Sequence, residues 1–331
     1  MNSMNSPRSD VLVIAETAHG RPSDLSYELI ALARQLVEYG GGTVSVATLE
    51  GPDSPCVQEL GRRGADRVFS ITADGSNAYE AERWLAALPT LLAEHGHAHI
   101  LLGHTSLGAE LGPRLAFRLD STVATGCERI ELKDGKLSVM RPCFGNKARE
   151  VLTLYKSPAV ATVRARMYDP LPPKCAEAQV IAIASSTTAM PVTTVLSRSV
   201  EAEGQGARIE TAKIVVAGGR GIGGPEGFQV LEKLAALVGG AVGASRVACD
   251  LGWVPHSRQI GLSGKTVRPD LYVAVGISGA SQHMAGCGKA RAILAINSDP
   301  EAAIFKEATF GIVGDYREIV PALIEAIGEN Q

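Results

Sequence analysis

Residues Gly219-Arg220-Gly221-Ile222-Gly223-Gly224 put glycines at the three positions of a G-x-G-x-x-G turn, between the apolar run 213–218 and a helical pattern starting at Pro225. Glycines there let a backbone approach a phosphate without Cβ clashes, and the N–H groups of a helix start favour negative charge. A tight turn without a ligand is the plainer alternative. An NAD fold adds an acidic residue about 20 positions on to hold the adenosine ribose, but the chain there reads Gly243-Ala244-Ser245-Arg246. That leaves NADP or another phosphate-bearing cofactor. A second polar cluster, Gly276 to Gly286, leaves the apolar run 271–275, at the edge where open α/β sheets bind ligands. Ser278, Ser281, Gln282 and His283 offer hydroxyl, amide and imidazole groups to a polar, planar ligand. Turn formation and helix capping account equally well for the serines, and an isolated histidine is commonly structural.

Other constellations carry less. His95, His97 and His99 alternate before an apolar run, which could align three imidazoles on a strand face. Carboxylate or cysteine partners are not evident nearby, and a solvated loop explains them more simply. The six cysteines (Cys56, Cys127, Cys143, Cys175, Cys249, Cys287) are widely spaced without CxxC and read as buried thiols. Lys156 to Arg166 reads as one charged sheet face. No G-x-S-x-G, H-E-x-x-H or P-loop occurs, which argues against hydrolase, zincin and kinase chemistry.

The elements that must position these groups follow an α/β rhythm. In the first half, 11–16, 43–50, 67–72 and 99–104 read as strands, with helices from Ser23 to Tyr39 and Ala78 to Ala93. Between Thr125 and Arg166 closely spaced strands suggest an antiparallel patch, with Asp134-Gly135 as a two-residue hairpin turn. This is an N-terminal α/β, nucleotide-hydrolase-like domain over 1–184. A linker rich in Ser, Thr and Gly covers 185–210, and 211–331 restarts the rhythm. Its five strands are 213–220, 246–252, 271–276, 292–297 and 310–315, with helices from Pro225 to Val238 and Tyr316 to Ile327, forming a doubly wound parallel sheet.

The 331 residues suffice for two ordinary cores, and 45% apolar with 20% charged residues is a globular balance. A net charge of −3 gives no broad basic face for nucleic acid. The N-terminus has only a five-residue apolar run before Glu16, so it lacks the core of a secretory signal and predicts a cytoplasmic protein. The uncharged stretch Ala178 to Ser197 holds seven Ser or Thr residues and Pro191, and reads as a strand followed by linker, without membrane insertion.

From Ala212 onward the chain resembles the FAD domain of the electron transfer flavoprotein alpha subunit. The matching segments are VVAGGRGIGG, GASRVACDLGWVP, QIGLSGKTVRPDLYVAVGISGASQHMAGC, AILAINSDPEAAIF and FGIVGDY, about the last 120 residues. The resemblance implies FAD as cofactor. It implies Arg220 and Ser245 at the nucleotide part and Arg246 against the isoalloxazine ring. Gln259, Ile260, Gly261, Leu262 and Ser263 form the loop at the flavin, with the Ser263 hydroxyl at N5. Ser278, Gly279, Ala280, Ser281, Gln282 and His283 follow, with His283 at the C2 carbonyl, while Asn297, Asp315 and Tyr316 hold the adenosine end. Some members carry Thr at the N5 position where this chain has Ser263. It further implies a beta subunit forming the other wall of the site. Electrons arrive from acyl-CoA dehydrogenases or related flavoproteins of fatty acid β-oxidation, and leave to a membrane quinone oxidoreductase or another acceptor. Some members instead work with NADH and a second flavin, splitting electron pairs. On this reading the chain is an electron carrier rather than a stand-alone enzyme.

Physical reasoning gives three of these residues their own roles. One-electron reduction of a flavin puts negative charge on the N1 to C2=O region, and a cation about 5 Å away at an effective dielectric of ~20 stabilises it by roughly 3 kcal/mol, on the order of 100 mV. Arg246 always carries such a charge, and His283 contributes as imidazolium or as a neutral donor. Together they would favour an anionic semiquinone. A hydroxyl at N5 senses protonation there, so Ser263 should tune potential more than affinity. Two rivals stay open: an NADP-dependent dehydrogenase using Arg220 or Arg246 on a 2′-phosphate, and a non-catalytic nucleotide-binding module.

Overall fold

The computed structural model describes residues 9–18, 20–72, 80–144, 148–174, 177–184, 208–210 and 212–329. The chain divides into two compact units, Met1–Arg198 and Ser199–Gln331. The interval 185–210, read from sequence as a linker, lies for 185–207 outside the described residues.

Unit 1 contains β1 (Val11–Ile14), the short pair β2 (Thr17–Ala18) and β3 (Arg21–Pro22), α1 (Asp24–Gly40), β4 (Val44–Thr48), α2 (Pro55–Arg62), β5 (Arg67–Thr72) and α3 (Ala81–His95). It continues with β6 (His99–Gly103), α4 (Ser106–Arg118), β7 (Val123–Cys127), β8 (Arg129–Lys133), β9 (Lys136–Cys143), β10 (Ala148–Leu154), β11 (Ala159–Val163) and β12 (Gln179–Ala184). The seven-stranded sheet has the order β12-β5-β4-β1-β6-β11-β7, and every pair is parallel. Strand alternation sends Val11 and Val13 to one face, with Leu29, Ile30 and Leu32 of α1. Leu12 and Ile14 go to the other, with Trp84, Leu85 and Leu88 of α3. Burying both faces is what makes these strands continuous apolar runs. Ser23 caps α1 by accepting the Ser26 N–H at 3.2 Å.

Three sequence expectations change here. The antiparallel patch is smaller, β10-β9-β8, with Asp134 (φ 51) and Gly135 (φ 73) turning its hairpin. Residues 159–163, grouped with that patch, instead enter the main sheet between β6 and β7 and are buried at every position. Lys156–Arg166 is therefore not one charged face: Lys156 pairs with Asp120 at 2.8 Å and Arg164 with Glu128 at 3.7 Å, on either side of a buried strand. The histidines are not in a solvated loop. His95 ends α3 and packs on Phe69 at 4.7 Å between centroids, while His97 and His99 are 8% and 2% exposed. Burial pushes the His97 and His99 rings down to about 4, and among the described residues none of their ring nitrogens has a hydrogen-bond partner. Among the described residues no group of three or more His, Cys, Asp or Glu side chains is arranged to hold a metal.

Unit 2 contains β13 (Ile214–Gly218), α5 (Pro225–Leu237), β14 (Ala241–Ala244), α6 (Arg246–Asp250), β15 (Leu271–Val275), α7 (Ser281–Cys287), β16 (Ala292–Asn297), β17 (Phe310–Val313) and α8 (Tyr316–Gly328). Its parallel sheet runs β14-β13-β15-β16-β17. Val216, Val273 and Val275 pack with Phe228, Leu231 and Val320 of α5 and α8, while Val215, Ala217, Tyr272 and Ala274 face Cys287 of α7 and Ile304. One strand lies earlier than the sequence pattern predicts. Residues 246–250 form a helix, and the second strand is the preceding Ala241–Ala244, whose small residues carry little apolar signal. No helix among the described residues is long and apolar enough to cross a membrane.

Candidate functional site

In unit 2 the chain leaves β13 for β14 on one side and returns to β15 on the other, so a crevice opens at the carboxyl ends of these strands. A cleft of about 860 Å³ lies there, within the range of cofactor pockets. It is lined by Arg220, Ser245, Arg246, Gln259, Ile260, Gly261, Leu262, Ser263, Ser278, Ala280, Gln282, His283 and Asn297 from the sequence-predicted set. Gly219, Gly221, Gly276 and Ile277, which sequence reasoning places in its two glycine-rich runs, line it too, whereas Val247, Asp299, Glu301, Ala302 and Ala303 escape sequence reasoning. Asp299 had a signal: it follows Asn297 at a strand end, where the Asn297 side-chain oxygen accepts the Asp299 N–H at 3.0 Å in an Asx turn.

The glycine turn works differently from its motif. Gly219 N–H donates to the Val275 carbonyl at 2.9 Å and Gly221 N–H to the Gly276 carbonyl at 3.0 Å. A Cβ on Gly219 would lie 2.2 Å from the Gly276 carbonyl oxygen, and one on Gly221 would lie 2.8 Å from Gly276 Cα. These glycines let two switch-point loops cross in contact, and their N–H groups are already used. Pro225, at the start of α5, has no N–H to give.

Three polar groups are shaped for a ligand. Ser245 stands at the N-cap of α6 but does not cap it, and its buried Oγ has no partner among the described residues. His283 is 7% exposed, receives or gives a 2.8 Å hydrogen bond with the Tyr272 hydroxyl at Nε2, and leaves Nδ1 buried with no hydrogen-bond partner among the described residues. Burial pushes its pKa down to about 4, the Ile260 carbonyl opposing only in part, so the ring of the cofactor-free chain is neutral near pH 7. Gln259, 6% exposed, donates through Nε2 to Ser263 Oγ at 3.1 Å while its Oε1 meets His256 Nδ1 at 3.1 Å. That fixes Ser263 as acceptor toward Gln259 and leaves its O–H to donate elsewhere.

The cleft's charges are mixed. Arg220 is exposed and makes no ion pair among the described residues, whereas Arg246 pairs with Asp250 at 3.3 Å. Asp299 and Glu301 line the same space. Four predicted residues stand outside the lining. Ser281 is exposed at the start of α7 without capping it, and Gly279 packs its backbone against Ile304. Asp315 caps α8 through the Arg317 N–H at 2.9 Å, and the Tyr316 hydroxyl donates to the Ile222 carbonyl at 2.8 Å. Asn297, though lining, spends its amide on the Ile277 carbonyl at 3.0 Å. These groups shape loops rather than offer free donors.

A doubly wound sheet with unpartnered polar atoms and an unpaired arginine at its switch-point cleft defines a nucleotide-cofactor-binding protein. The orphaned Ser245 and His283 atoms fit a cofactor that brings its own acceptors and donors. Comparison makes the class specific. Residues 208–288 match the electron transfer flavoprotein FAD-binding domain, and 11–189 match the electron transfer flavoprotein domain. Electron transfer flavoprotein subunit alpha of Thermoanaerobacterium thermosaccharolyticum is 37% identical over 322 residues, 96% of this chain and 97% of that protein. Its counterpart from Bacillus subtilis is 37% identical over 95% of this chain and 96% of its own, and Protein FixB of Clostridium saccharobutylicum is 34% identical over 95% of each. The chain belongs to the electron transfer flavoprotein alpha-subunit family, and it binds FAD.

Proposed function

We propose that this chain is the FAD-bearing half of a heterodimer with an electron transfer flavoprotein beta subunit. It relays electrons from acyl-CoA dehydrogenases or related flavoproteins to a membrane quinone oxidoreductase or another acceptor. The observation that carries the reading is the convergence, in a cleft of the FAD-binding domain, of a hydroxyl aligned by Gln259, a neutral histidine and two arginines. FAD supplies the redox chemistry, exchanging electrons singly or in pairs.

Each side chain has a task in this proposal. Arg220, without a carboxylate partner among the described residues, neutralises the diphosphate, and the orphaned Ser245 hydroxyl donates to the nucleotide portion. Ser263 directs its remaining O–H at flavin N5. His283 offers its buried Nδ1 edge to the C2 carbonyl, and Arg246 supplies positive charge there, moderated by Asp250. Asn297, Asp315 and Tyr316 hold the loops of the adenosine end, and Gly261 with Leu262 closes the ring's flank.

The test is the visible spectrum of the chain co-purified with a beta subunit, followed during stepwise reduction. A flavin band that bleaches on addition of a reduced acyl-CoA dehydrogenase supports the relay. Bleaching by NADH but not by the dehydrogenase assigns the electron-splitting mode instead, and a complex without a reducible band refutes both.

A further inference from the structure

Behind the cleft wall lies a buried hydrogen bond, at the Nε2 edge of His283, that the cofactor roles above do not use. Tyr272 in β15 is wholly buried, and its hydroxyl sits 2.8 Å from His283 Nε2. A neutral imidazole has one donor and one acceptor nitrogen, and a bond at one fixes the other. Suppose Nε2 carried the proton and donated to Tyr272. The phenol proton would then have, among the described residues, only the Cys287 sulfur beside it, a weak acceptor. Cys287 is itself directed at the His283 carbonyl, 3.6 Å away. With Nε2 as acceptor the phenol proton is used at 2.8 Å, and the ring proton moves to Nδ1.

We propose that Tyr272 is a positioning residue: its hydroxyl donates to His283 Nε2 and locks the ring as the Nδ1–H tautomer, making His283 an obligate donor at the cleft wall. The functional meaning of that donor rests on the cleft being the flavin site. There a locked donor accepts an edge bearing a carbonyl oxygen and rejects one bearing N–H. It also strengthens as charge builds on that oxygen, without a proton having to be taken up from solvent. A buried tyrosine at this strand position serves orientation as well as filling the core, because a phenylalanine would fill it equally well.

Long-range proton–nitrogen spectra of the full-length chain, labelled with 15N-histidine, read the tautomer directly. The His283 signals are identified by their loss in His283→Gln. The expected result is a protonated Nδ1 and an unprotonated Nε2. In Tyr272→Phe the Nδ1–H form falls from the major to the minor species, and the His283 titration midpoint rises above about 4. A wild-type ring protonated at Nε2, or a tautomer ratio unmoved by Tyr272→Phe, overturns the inference. If Tyr272→Phe does not fold, the wild-type spectrum still decides. The flavin reading fails separately: the Nδ1–H form in wild type, together with FAD affinity within twofold in His283→Phe, leaves Tyr272 as tautomer-setting and removes His283 from the cofactor.

Discussion

Gly221→Ala separates two accounts of the glycine turn. If the turn cradled phosphate through unpaired N–H groups, an added methyl would weaken FAD binding and leave the cofactor-free fold intact. The structure instead puts that methyl 2.8 Å from Gly276 Cα and 3.0 Å from its carbonyl oxygen, both backbone atoms in a loop turned at φ +61. The loops must part by roughly half an ångström, a typical overpacking cost of about 1–3 kcal/mol. The Gly221 N–H bond to Gly276, 3.0 Å long, is lost with them, adding about 1 kcal/mol. Replacing glycine returns about 0.5 kcal/mol by stiffening the unfolded chain. The net expectation is about 1.5–3.5 kcal/mol of lost stability before any FAD is added. With m near ~2 kcal/mol per molar urea, the unit 2 transition falls by about 1–2 M. Trp253, half-buried against this unit's core, reports it by fluorescence, with Trp84→Phe removing the unit 1 signal. A midpoint unchanged within ~0.3 M, with FAD binding weakened, would refute the packing account and restore the phosphate cradle.

Two further outcomes follow from buried and paired charges. Unfolded histidines take up protons below about 6.5, but folded His97 and His99 resist until about 4, so their contribution is complete above 6.5 and is lost as pH falls toward 4. At pH 5 each costs about 2 kcal/mol; urea midpoints at pH 7.5 and 5.0 should converge in a His97→Gln, His99→Gln chain, and an unaltered pH dependence would contradict this burial. At the flavin, Arg246→Ala should lower the first reduction potential and Asp250→Asn should raise it, because Asp250 offsets the guanidinium 3.3 Å away. Potentials moving in the same direction in both variants would show that this pair does not act on the ring.

Which parts of this architecture could be read from sequence follows from how local their causes are. β5 and β16 were bounded to the residue because they are apolar runs between turns. β11 was assigned to the wrong sheet because its five buried residues follow a hairpin in sequence, while its partners β6 and β7 are set by long-range pairing. β14 was missed because Ala241, Gly243 and Ala244 are poor strand formers, held here by pairing with β13. Where motif residues cluster after a strand, sequence reasoning reaches the cleft lining at Ser278, Ala280, Gln282 and His283, though not at Gly279 or Ser281. The commitments of Asn297, Asp315 and Tyr316 to loop carbonyls and a helix cap were not, nor was the Asp250 counter-charge on Arg246, since hydrogen-bond accounting needs coordinates. Burial of His97 and His99 likewise depends on the sheet and helix assembled around them.

The central claim, that the flavin ring lies against the 259–263 loop, is tested most directly by spectroelectrochemical titration of the heterodimer carrying Ser263→Ala. Loss of one hydrogen bond worth about 0.5–1.5 kcal/mol corresponds to a shift of roughly 20–65 mV in a one-electron potential. The account predicts such a shift with FAD still bound. Retained FAD with potentials identical to wild type, or lost FAD whose bound remainder behaves normally, would contradict it.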